Sequence, residues 1–101
     1  MSLDFVVLDK DGFPERSVAI GVDLHQKLMS TAASLGLDRL DCFSDYYEDA
    51  MVDDNLPELG EQILRLCSQT PPSELLDFLN QLTDLIRHAV ANDLPLHCIA
   101  D

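Results

Sequence analysis

Eight carboxylates and both tyrosines of the chain fall between Asp38 and Glu58. Asp38, Asp41, Asp45, Glu48, Asp49, Asp53, Asp54 and Glu58 surround Tyr46 and Tyr47, and Arg39 is the sole basic residue among them. The chemistry open to such a set is recognition: tyrosine offers rigid contact area, and carboxylates steer a basic surface and speed its encounter. These ten residues form the candidate partner-binding site. If the segment is helical, Asp41, Asp45 and Asp49 stack at i, i+4 and i+8, a repulsion of roughly a few tenths of a kcal/mol per pair that a cationic partner relieves. The competing reading is a solvated acidic face with a tyrosine packed beneath the loop. A Mg2+ site in the same cluster is a third.

A second run, Phe5-Val6-Val7-Leu8-Asp9-Lys10-Asp11-Gly12, sets two carboxylates at the end of an apolar stretch. It resembles the first motif of haloacid-dehalogenase-type phosphatases, which implies Asp9 as the nucleophile on phosphorus and Asp11 as acid and base around Mg2+. Beyond Gly12 the likeness stops. Phe13-Pro14-Glu15-Arg16 and a second apolar run follow, and the two lysines, Lys10 and Lys27, stand too early for that family's later lysine. Asp9 to Gly12 therefore reads as a hairpin turn, whose backbone angles Asp and Gly suit.

Other reactive side chains are dispersed. A calcium loop of the EF-hand type needs Gly five residues after its first Asp, and counting from Asp9 that position is Pro14. His25, His88 and His97 fall on separate predicted elements. Cys42, Cys67 and Cys98 are an odd set without a C-x-x-C pair, so reduced, buried thiols are expected rather than a disulfide framework or a zinc site. The expectation is a binding protein and not an enzyme, with no catalytic residue, metal ligand or cofactor to name.

The elements that position these groups follow from apolar spacing. Phe5 to Leu8 and Ser17 to Ile20 predict an N-terminal β-hairpin across the Asp-Gly turn. Leu24, Leu28, Ala32 and Leu35 predict a helix with Asp23 as N-cap and Gly36 as its stop. A short helix is expected around Cys42 to Ala50. Pro57 suits the first turn of another, with Leu59, Ile63, Leu66 and Cys67 on one face and an end near Ser68. Ser73 caps the longest helix, Glu74 to Ala91, whose stripe of Leu75, Leu79, Leu82 and Ile86 is widened by Phe78, Leu85, Ala89 and Val90. That face is either the core or a contact with another chain. Asn92-Asp93 closes the helix, and Leu96 to Ala100 reads as a strand pairing with the hairpin. The predicted fold is α+β: a small antiparallel sheet packed against three to four helices, in one domain over residues 1–101.

Composition bounds the partners. Nineteen Asp and Glu against six Lys and Arg leave a net charge of -13, which repels phosphate backbones and anionic membrane surfaces and excludes nucleic acid as the expected ligand. A hydrophobic fraction of 47% is too high for a disordered chain despite that charge. The opening Met-Ser-Leu-Asp-Phe has no basic stretch followed by an apolar one, and no apolar run approaches a membrane span, so the expected location is the cytoplasm.

As a whole the chain resembles the small acidic immunity proteins encoded beside bacterial polymorphic and secreted toxins. The likeness lies in the opening Leu3 to Asp9, in Ile20-Gly21-Val22 ahead of the first helix, in Ser44-Asp45-Tyr46-Tyr47-Glu48-Asp49, and in the ending Ile99-Ala100-Asp101. It implies a cytoplasmic inhibitor that sits over the active site of a cognate toxin, often a basic nuclease, with the acidic surface imitating phosphates. The alternative is a small homodimeric structural or adaptor protein joined through the wide face of Glu74 to Ala91.

Overall fold

A computed structural model describes residues 2–100; Met1 of the opening and Asp101 of the ending lie outside the described residues. The chain runs β1 (Leu3–Leu8), β2 (Pro14–Ile20), α1 (Val22–Ser34), a 3-10 helix (Asp38–Phe43), β3 (Ala50–Val52), α2 (Leu56–Gln69), α3 (Glu74–Ala91) and β4 (Leu96–Ala100). The α+β expectation holds. Four antiparallel strands lie in the order β2-β1-β4-β3, so the first and last strands are the central pair.

Strand alternation sorts the two faces of the sheet. Leu3, Phe5 and Val7 of β1 and Leu96 and Cys98 of β4 point into one core with the buried residues of all three α-helices. Met51, His97 and Ile99 lie on the opposite face, where Met51 and Ile99 are exposed. Phe5 is the hub of the inner face. Its ring meets Phe43 edge-on at 5.0 Å and Phe78 of α3 at 5.6 Å, and complete burial of such a ring contributes roughly 1.5–3 kcal/mol.

The hairpin turn is built by Asp9. Its Oδ1 accepts the backbone N–H groups of Asp11 and Phe13, both at 2.9 Å, and Gly12 takes the positive φ of 84° that the turn requires. The carboxylate that the phosphatase-like motif would use as nucleophile is thus engaged by its own loop.

Helix ends follow the predicted signals, with one correction. Gly21 rather than Asp23 is the N-cap of α1, and Asp23 lies in the first turn, where a carboxylate faces the positive end of the helix dipole. At the other end Gly36 adopts φ 70°, and Leu37 N–H returns to the Ala32 carbonyl at 2.9 Å, closing a Schellman motif. Pro57 sits in the first turn of α2. Ser73 Oγ accepts from Leu76 N–H at 3.3 Å at the start of α3. Asp93 repeats the left-handed stop with φ 55°, and Leu94 N–H donates to the Ala89 carbonyl at 2.9 Å.

Of two expectations about faces, that for α1 is corrected and the core reading of α3 holds. The buried residues of α1 are His25, Leu28 and Ala32, while Leu35 is exposed, so the helix is turned to place a histidine inside. The wide face of α3 is consumed within the chain: Leu75, Phe78, Leu79, Leu82, Leu85, Ile86 and Ala89 are all buried, and Val90 alone of the predicted face is exposed. Gly60 of α2 permits this close packing, since a Cβ there would stand 3.2 Å from Ile86 Cγ2.

Candidate functional site

The acidic segment is not the helix that its spacing predicts. Asp38–Phe43 forms a 3-10 helix, residues 44–49 an irregular turn, and Ala50–Val52 a fourth strand paired with β4 through Ala50 and Cys98, Met51 and His97, and Val52 and Leu96. Asp41, Asp45 and Asp49 therefore do not form a stacked helical row. The missed strand is short. Three residues carry too little alternation to register as a strand by pattern, and an edge offered by β4 gives them their hydrogen bonds.

Among the described residues, several ties stitch the segment to the body of the protein. Gln62 of α2 receives Arg39 N–H on its Oε1 at 2.9 Å and donates from Nε2 to Asp38 Oδ1 at 3.2 Å. Leu40 and Phe43 enter the core. His25 Nε2 lies 2.9 Å from the Phe43 carbonyl oxygen; a carbonyl only accepts, so Nε2 carries the proton and donates. Asp49 Oδ1 accepts from Ala100 N–H at 2.8 Å, and β3 completes the attachment.

The two tyrosines then part company. Tyr46 is buried, packed beside the His25 ring at 5.4 Å, and supports the site rather than presenting itself. Tyr47 stands edge-on to Tyr46 at 5.2 Å and 87°, with 66% of its surface exposed. Its backbone N–H donates to Asp45 Oδ1 at 2.9 Å, which fixes that carboxylate beside the ring. Asp38, Asp41, Asp45, Glu48, Asp49, Asp53, Asp54 and Glu58 are all exposed.

Beside Tyr47 lies a shallow concavity of about 460 Å3, floored by His25 and Tyr46 and walled by Val22, Gln26, Ser44, Asp45 and Tyr47. Among the described residues, neither lysine nor arginine lines it. Sequence reasoning missed the α1 side of this wall. The signal in the sequence was slight: Val22 is an apolar residue outside the Leu24, Leu28, Ala32 spacing, and only the fold shows it to be exposed. On the other flank of α1 an open cleft of about 890 Å3 separates it from the α2–α3 connection, with Asp23, Lys27 and Glu74 at its margin.

The remaining histidines and cysteines are not gathered. His88 Nε2 meets Glu15 Oε1 at 2.8 Å, joining α3 to β2 where the register shift leaves Glu15 as the extra residue. Cys98 is buried, Cys67 half-buried and Cys42 exposed; all three are free thiols. Among the described residues, no group of three or more His, Cys, Asp or Glu side chains is arranged to hold a metal ion. No helix among them is long and apolar enough to cross a membrane.

Comparison with known protein families, with curated proteins and with solved structures returned no match.

Proposed function

We propose that this chain is a cytoplasmic binding protein that neutralises a cognate bacterial toxin by covering its active site with the acidic surface around Tyr47. The carrying observation is the exposed Tyr47 ring, braced by a buried Tyr46 and bordered by exposed carboxylates. An exposed aromatic on a rigid support loses little conformational entropy when it is buried by a partner, which is how a binding hot spot is made. A surrounding charge of -13 over the chain selects a basic partner and accelerates its approach. The activity is binding and not catalysis, with Asp9 serving the hairpin turn.

The test is capture of the tagged protein's partner from native-host lysate at low and moderate salt, identification by mass spectrometry, and affinity measurement on the purified pair. The structure directs the charge reversals to Asp41 and Glu48, exposed carboxylates outside the hydrogen bonds of the loop. Asp45 and Asp49 are unsuitable because each holds a backbone N–H. A single stoichiometric basic protein bound more weakly by Asp41→Lys/Glu48→Lys, which enzymatic assay identifies as a toxin inhibited by the complex, supports the reading. Self-association alone, or an affinity indifferent to the reversals, overturns it.

A further inference from the structure

The concavity at Tyr47 has a shape and a chemistry narrower than general acidity. Its apolar walls, Val22 and Tyr47, are 39% and 66% exposed and stand on different elements, α1 and the 44–49 turn. The floor is aromatic, and His25, Tyr46 and Tyr47 form a run of tilted and edge-on rings with spacings of 5.4 Å and 5.2 Å. At the rim, Asp45 is oriented by the Tyr47 N–H bond to Oδ1, which leaves Oδ2 outside that turn, and Ser44 adds a hydroxyl.

We propose that this concavity seats one arginine side chain of the basic partner. The inference rests on the reading of a basic binding partner and names the group that partner inserts. A guanidinium is planar, weakly hydrated and always charged; it stacks on aromatic rings and presents donors to a carboxylate in a fixed fork. Val22 and the Tyr47 ring cover its methylene stem, and Asp45 meets its head. A lysine ammonium is compact and strongly hydrated, so it gains less from the rings. A leucine would leave Asp45 unanswered at the rim. A second copy of this chain is opposed by like charge, and a nucleic-acid phosphate is opposed still more directly.

The experiment is a 15N-resolved NMR titration of the full chain at low ionic strength with N-acetyl-L-arginine amide, N-acetyl-L-lysine amide and N-acetyl-L-leucine amide. Expected are saturable shifts centred on the amides of Val22, Gln26, Asp45 and Tyr47 with the arginine probe, and binding weaker by about threefold or more with lysine. Tyr47→Ala is expected to remove the focused response, with the spectrum elsewhere unchanged because the ring is solvent-facing. Asp45→Asn keeps an oxygen acceptor for Tyr47 N–H and deletes the charge, and it is expected to weaken the arginine response. Shifts scattered over the acidic residues without focus, equal responses to arginine and lysine, or indifference to both variants overturn the seat. With the partner in hand, Tyr47→Ala without effect while Asp41→Lys/Glu48→Lys weakens binding overturns the seat and keeps the reading. Indifference to all of these changes overturns both.

Discussion

Asp49 Oδ1 accepts the backbone N–H of Ala100 at 2.8 Å, joining a carboxylate of the acidic segment to the last residue of β4 across 51 positions. A carboxylate of the candidate binding segment is also a clasp between the 44–49 turn and the end of β4. The turn is held at one end by this bond and at the other by His25, so the exposed Tyr47 projects from a loop fixed on both sides.

Removing that clasp separates geometry from charge. Asp49→Ala is expected to lower stability by about 1 kcal/mol, the usual net value of one such bond, and to speed hydrogen exchange at the Ala100 amide. Asp49→Asn retains an acceptor oxygen and is expected to lose less than half as much. Urea denaturation of the two variants, with exchange read at Ala100, checks the difference.

His25 is the second fixed point, and its replacement probes the support beneath Tyr47. His25→Ala leaves the Phe43 carbonyl without its donor and opens a cavity under Tyr46, an expected loss of about 2–4 kcal/mol. His25→Phe fills the space without restoring the donor and is expected to recover only part of that loss. Thermal or urea unfolding supplies the comparison; equal stability of wild type and His25→Phe would show the hydrogen bond to be dispensable.

Alkaline stability reports on Cys98. Burial pushes its thiol from the ordinary 9.0 up to about 12, with the charge of Cys42 adding a smaller rise. Between those values the unfolded chain has released the proton and the folded chain keeps it, so stability falls as pH climbs through the window, by about 1.4 kcal/mol per unit at most from this group. Partial desolvation also raises the Cys42 thiol, but that residue is exposed and solvent screens its contribution, so Cys98 dominates the trend. Cys98→Ala is expected to be less stable at pH 8 but to show a shallower decline above pH 9, so urea midpoints of the two proteins should converge as pH rises.

Asp93 carries a left-handed backbone at the end of α3, with φ 55°. Glycine adopts that conformation without the Cβ penalty, and Asp only with partial local compensation. Asp93→Gly is therefore expected to stabilise the protein by up to about 1 kcal/mol, seen as a higher urea midpoint with an unchanged slope; a destabilised variant would show that the Asp side chain contributes more than the strain it carries.

Much of this architecture was legible from residue spacing. The repeated apolar positions of α2 and α3 are local properties, set by a period of 3.6 residues, and the stops at Gly36 and Asn92-Asp93 are local too. The Asp-Gly turn and the two apolar runs beside it determined the hairpin, because the backbone angles are decided within a few residues. Ala50-Met51-Val52 was beyond that reach: three residues define no period, and they become a strand only where β4 presents an unpaired edge. The same limit applies to the candidate site. Its ten residues were identifiable as an acidic, tyrosine-bearing segment, but adjacent tyrosines are equivalent in sequence. Docking of Phe43 against Phe5 and the bond from His25 turn Tyr46 inward and leave Tyr47 outside. Which ring faces solvent depends on contacts between residues far apart in the chain, and those exist only once the helices have closed over the sheet.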